Sequence, residues 1–137
     1  MKFKTKRLKA YTLTEILVVL VIIGILVLLA LPNLLPLITK AKSLEAKTQL
    51  AHVQSLEQGY FFEHSKYSKD LTEIGFIQDK LTTESKDGRA NYRIEITSAT
   101  NTTFTAKATA IVDFNGNGTF NVWEIDQDKT LKEITAD

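Results

Sequence analysis

The chain has no cysteine among its 137 residues. No disulfide can close any part of it, so packing, or a bound metal, must secure its C-terminal end. It has only two histidines, His52 and His64, and neither has a second ligand type at metal-binding spacing. A Ser/His/Asp set, a phosphate-binding glycine loop and the G-x-S-x-G turn are all missing from the sequence. No enzyme class is supported. The aromatic residues Tyr60, Phe61, Phe62 and Trp123 read as packing rather than as a ligand site. Internal repeats and low-complexity tracts are absent as well. The length admits one small domain plus one long helix.

What is present is concentrated at the start. Lys2, Lys4, Lys6, Arg7 and Lys9 put five cations ahead of Ala10. Tyr11-Thr12-Leu13-Thr14-Glu15 follows, and from Ile16 to Leu31 every residue is apolar or glycine. A conventional secretory signal would end in a small-x-small cleavage site after the apolar region. Leu31-Pro32-Asn33-Leu34 offers none, and apolar residues continue to Ile38. The segment is therefore expected to be retained. About 20 helical residues cross a bilayer core, so residues 11–38 are long enough to span. The basic leader should stay cytoplasmic and the remainder should cross. Removing the five leader cations from the total of 17 basic residues leaves 12 against 16 acidic ones. The remainder is thus net acidic, and a nucleic-acid partner is not expected.

The stretch K-A-Y-T-L-T-E-I-L-V-V-L-V-I-I-G-I-L resembles the N-terminus of type IV prepilins and the pseudopilins of type II secretion. The resemblance implies cleavage between Ala10 and Tyr11 by a prepilin peptidase that also methylates the new amine of Tyr11. The family usually has Gly and Phe at these two places. It also implies an assembly role for Glu15, fifth after the cut. A carboxylate at the head of a span is costly unless paired. Its expected partner is the α-amine of a Tyr11, on its own or a neighbouring subunit. Gly24 and Pro32 fall where the family commonly loosens this helix. Both weaken helix intrinsically, Pro32 by removing a backbone donor and Gly24 by low propensity, although membrane helices tolerate both.

Beyond the span, Ala46, Leu50, Val53, Leu56 and Tyr60 recur at three- and four-residue spacing, with Lys40, Lys42, Glu45, Lys47 and Glu57 mostly off that stripe. One helix is predicted from about Thr12 to Phe62, greasy all round over residues 11–38 and amphipathic over 39–62. Residues 63–137 read as a β-domain packed on the amphipathic half. Leu71–Ile77 suggests a short helical turn. Strands are expected over Tyr92–Thr97, Thr102–Phe114, Thr119–Ile125 and Leu131–Thr135, joined as antiparallel neighbours. The fold class is α+β: a long helix on a small antiparallel sheet.

Residues 113–124 have two readings. Asp113, Asn115, Asn117, Thr119, Asn121 and Glu124 place oxygen donors at positions 1, 3, 5, 7, 9 and 12 of an EF-hand-like calcium loop, with Gly116 at position 6. Only Asp113 and Glu124 are charged and the flanks read as strands, not helices. The other reading is a plain turn in which Asn-Gly-Asn-Gly supplies positive φ to a hairpin, and side-chain oxygens are incidental. Apart from this calcium possibility, no cofactor is expected.

The resemblance implies a structural subunit that forms homo-oligomeric helical filaments. Its precursor would sit in the bacterial inner membrane, serve an assembly platform there, and end in a surface pilus. A type II secretion pseudopilin with a periplasmic filament is the first alternative. A single-span anchored binding domain is another, and Glu15 argues against it.

Overall fold

The computed structural model describes residues 10–137; the leader cations lie outside the described residues. Two compact units divide at Leu34/Leu35. Helix α1 spans Leu13–His64, within two residues of the predicted bounds. It is assigned without interruption across Gly24, Pro32 and Pro36. The Thr39 Oγ1 donates back to the Leu35 carbonyl at 3.3 Å, as hydroxyls on a helix often do. At the far end Ser65 takes the left-handed conformation at φ 56° and its N–H closes on the Phe61 carbonyl at 2.8 Å, ending the helix as a C-terminal cap does.

In the first unit no side chain from Tyr11 onward is buried. In the second, α1 buries one stripe: Ala46, Leu50 and Val53 are fully enclosed. Glu57, expected on the solvent side, is also fully enclosed. It lies four residues after Val53 and seven after Leu50, so helical geometry places it on the same face. Polarity alone misassigns it.

The sheet is four-stranded and antiparallel in the order β1 (Tyr92–Ala99), β2 (Phe104–Ala110), β3 (Val122–Asp126), β4 (Leu131–Thr135). Burial alternates along β1 and β2, so one face packs on the core and the other meets solvent. Tyr92, Ile94 and Ile96 from β1, Phe104, Ala106, Ala108 and Ala110 from β2, and Ile125 from β3 share one core with the α1 stripe and with Ile74 and Phe76. The predicted α+β class and antiparallel order hold. Ile74 and Phe76 come from hydrogen-bonded turns over 71–75 and the residue after them, rather than from a regular helix.

Two polar straps fix the domain. Glu45 accepts the Asn91 N–H through Oε1 and the Asn91 Nδ2 amide through Oε2, both at 2.7 Å, tying α1 to the start of β1. Gln78 covers the free edge of β1: its Nε2 donates to the Tyr92 carbonyl at 3.2 Å and its Oε1 accepts the Ile94 N–H at 2.9 Å. A side-chain amide thus substitutes for a neighbouring strand and blunts an edge that would otherwise pair with other chains.

The β2–β3 connection departs from expectation. Strand β2 stops at Ala110 and β3 begins at Val122, so Ile111–Phe114 and Thr119–Asn121 belong to a long loop rather than to a tight hairpin.

Candidate functional site

The first candidate lies at the head of α1. Thr12 is the N-cap and Glu15 the third helical residue. The Glu15 N–H donates to Thr12 Oγ1 at 3.2 Å, while Glu15 Oε2 accepts the Thr12 N–H at 2.7 Å and its hydroxyl at 3.0 Å. This is a reciprocal capping box, and a carboxylate in the first turn also complements the helix dipole. The T-x-x-E spacing of Thr12 and Glu15 is the local sequence signal for this box. The structure brings Glu15 together with Thr12, one residue beyond the expected partner Tyr11. In the uncut chain Tyr11 has a peptide N–H, not an amine. Ala10 and Tyr11 are exposed ahead of the helix, outside regular secondary structure. Gly24 has open space where a Cβ would stand, and Pro32 sits in continuous helix.

From Ile16 to Ile38 the helix offers apolar surface, interrupted by Asn33 alone. Residues 16–38 are exposed without exception, with Leu20 at 63% and Leu28 at 71%. Its first unit contains the segment long and apolar enough to cross a membrane, and none of that segment is buried in the chain. Such a surface is unstable in water at roughly 25 cal/mol per Å². It needs lipid or other helices against it.

The 113–124 loop is the second candidate. Asp113 folds its carboxylate back onto the loop: Oδ1 accepts the N–H of Gly116 at 2.6 Å and of Asn117 at 3.3 Å, and Oδ2 that of Gly118 at 2.6 Å. The Gly118, Gly116 and Asn117 amides hold the Asp113 carboxyl below the usual carboxylate range. Asn115 Oδ1 accepts the Asn117 N–H at 2.8 Å, and Asn117 Oδ1 accepts the N–H of Thr119 at 2.7 Å together with its hydroxyl. Gly116 and Gly118 supply the positive φ, 78° and 87°. The last two residues of the EF-hand-like set are elsewhere. Asn121 is fully enclosed; its Oδ1 accepts the Tyr92 hydroxyl at 2.8 Å, and its Nδ2 donates to Glu133 at 2.7 Å and to the Thr135 carbonyl at 2.9 Å. Glu124, on β3, pairs across the sheet with Lys107 at 3.6 Å. The loop oxygens are thus already bonded within the protein, and a cation would have to exchange them. The side-chain oxygens of this turn are not incidental, contrary to the expectation from sequence.

The third feature is Glu57. Its Oε2 accepts the Ser68 N–H at 3.1 Å, and its Oε1 is buried with no hydrogen-bond partner. Burial raises its carboxyl above the ordinary value, outweighing the Ser68 bond. Nearby, Ser68 and Tyr60 both donate to Glu73 Oε2, and among the described residues no cation pairs with Glu57 or Glu73.

Comparison with known proteins adds to this geometry. A family model described as "Type IV minor pilin ComP, DNA uptake sequence receptor" matches residues 35–119. One described as "Prokaryotic N-terminal methylation motif" matches residues 5–31. The type IV major pilin protein PilA of Myxococcus xanthus (strain DK1622) is 36% identical over 74 residues, 54% of this chain and 34% of the relative. The type II secretion system core protein G of Dickeya chrysanthemi is 33% identical over 78 residues, 57% of this chain and 51% of the relative. The chain therefore spans only about a third and about half of the length of these two curated relatives.

Proposed function

The chain belongs to the type IV pilin-like family, and from that premise we propose that it is a structural subunit of a helical filament built from the inner membrane. The observation that carries the reading is the exposed apolar helix headed by Glu15. Residues 16–38 have no partner among the described residues, and neighbouring copies of the same helix would cover them in a filament core. A prepilin peptidase would cut between Ala10 and Tyr11 and methylate Tyr11. The new amine would then compete with Thr12 for Glu15. A Glu15 carboxylate bound to the amine of an adjoining subunit sets axial register, because an unpaired charge in that low-dielectric core is penalised. Before assembly the Thr12 bonds keep the carboxylate satisfied within its own helix. Gly24 and Pro32 would let the helix extend when subunits pack tightly.

Intact-mass measurement of membrane-extracted protein tests the processing step. The expected mass is that of residues 11–137 with one added methyl group. A retained Met1 or a cut near Ala30 contradicts it.

The secretion relative supports a second reading, a pseudopilin whose filament stays in the periplasm. Surface filaments recovered by shearing favour the pilus; their absence, with secretion lost in a deletion strain, favours the pseudopilus. The DNA-receptor role in the matched family's description is not carried over, since residues 11–137 hold 12 basic against 16 acidic residues and nucleic-acid affinity rests on surplus positive charge.

A further inference from the structure

The second unit carries an open cleft of about 460 Å³ whose lining includes Thr39, Lys40, Lys47, Trp123, Glu133 and Asp137. Its charged groups are not equally available. Glu133 is held by the Asn121 amide at 2.7 Å. The Asp137 side chain accepts the Phe114 N–H at 2.8 Å and the Asn115 N–H at 3.3 Å. Both acids keep their charge, but these oxygens already accept from neutral N–H groups of the domain. The cations are not engaged in this way: among the described residues, neither Lys40 nor Lys47 is in an ion pair. The Lys47 ammonium instead rests over the Trp123 ring, 4.3 Å from its centroid. A π-face holds a cation without neutralising it. The seven-residue spacing puts Lys40 and Lys47 on one helical face, roughly 10 Å apart along the axis.

The same unit supplies an apolar neighbour. Leu35, Leu37 and Ile38, in the turns just before Lys40, are exposed at 43%, 59% and 47%. A ligand that satisfies the whole surface presents an anion at one end and a greasy body at the other. We propose that the cleft binds the phosphate headgroup of an anionic phospholipid. Lys40 and Lys47 take the phosphate and the acyl chains lie along Leu35–Ile38. Lysine suits this task, since its stem can follow apolar surface while the ammonium reaches the headgroup layer. The proposal rests on residues 11–38 spanning a bilayer.

The full chain is reconstituted in nanodiscs of phosphatidylcholine and of phosphatidylglycerol, and lipid retained after gentle extraction is counted by native mass spectrometry. Emission of Trp123, the one tryptophan in the chain, is followed in parallel. The expected result is a roughly 10–30-fold preference for phosphatidylglycerol, lost in the Lys40→Gln/Lys47→Gln double variant and restored in Lys40→Arg/Lys47→Arg. The Trp123 emission should shift with the anionic lipid and not in the Gln variant. Insertion into both nanodiscs with equal retention, or a preference unchanged in the Gln variant, overturns the headgroup site and leaves the span intact. Failure to enter either nanodisc overturns the span and the site together. The same Trp123 response from inorganic phosphate, or from a DNA duplex, without anionic lipid assigns the cations to another anion and overturns the proposal.

Discussion

The two halves of α1 use the same backbone geometry to opposite ends. Over residues 39–64 the helix buries Ser43, Ala46, Leu50, Val53, Gln54 and Glu57 along one stripe. Over residues 11–38 it buries nothing. The amphipathic half is stabilised by its own chain, through the core and through the Glu45–Asn91 strap. The apolar half has its energetic partners elsewhere, in lipid or in other subunits. Its one charged side chain is satisfied within the first turn by Thr12. Substitutions in the two halves should therefore fail different assays.

The largest contrast comes from shortening leucines. Leu50→Ala should destabilise the β-domain by about 2–5 kcal/mol, as cavity formation in a packed core does. Leu20→Ala or Leu26→Ala should leave its melting unchanged in detergent. Trp123 emission reports that melting without interference, being the sole tryptophan signal. Equal destabilisation from both halves would break the comparison.

A second test is Asn121→Ala, expected to cost about 2–3 kcal/mol. It strands the buried Tyr92 hydroxyl and removes two donated bonds at once. Asp113→Ala should lower the melting temperature less, because water can reach the amides it uncovers. Calcium at millimolar concentration should move neither the parent nor this variant; a rise of several degrees abolished by Asp113→Ala would assign the loop to a cation instead.

The smallest effect is a pH dependence. The folded-state carboxyl of Glu57 lies above its ordinary value of 4.5. The folded protein therefore holds that proton more tightly than the unfolded chain. Stability from this residue is fully present below 4.5 and is lost as pH rises through the raised folded value. Glu57→Gln, which mimics the protonated form, should be the more stable protein at pH 8 and should lose that advantage near pH 4.5. Asp113 acts in reverse. Its depressed carboxyl stabilises the loop above about pH 4 and releases it as pH falls through the lowered value. Chemical denaturation of the parent and Glu57→Gln at pH 4.5 and pH 8 isolates the Glu57 contribution, because the Asp113 carboxyl titrates below both.

Periodicity made the helix and the strands readable in advance. Ala46, Leu50 and Val53 announce the buried stripe, and Tyr92, Ile94 and Ile96 announce the inner face of β1. The errors fall where a polar side chain does structural duty. Glu57 was set on the solvent side because it is charged, and the stripe's own spacing would have placed it inside. Asn121, a cation donor in one of the two readings of the loop, bonds Tyr92, Glu133 and Thr135. These partners are 29, 12 and 14 residues away, a range at which no local pattern reports contact. The hairpin at Asn115–Gly118 was overdrawn because Asn-Gly pairs signal a turn but not the length of the loop around it. The Thr12–Glu15 box was fully local and could have been found by its motif.

The central claim is that residues 11–38 work between molecules and residues 39–137 fold on their own account. Glu15→Ala, expressed as the only copy of the subunit, tests it most directly, with filament yield and Trp123-monitored melting measured on the same preparation. The account predicts few or no filaments and an unchanged melting transition. Normal filament yield, or a β-domain that melts earlier, would contradict it.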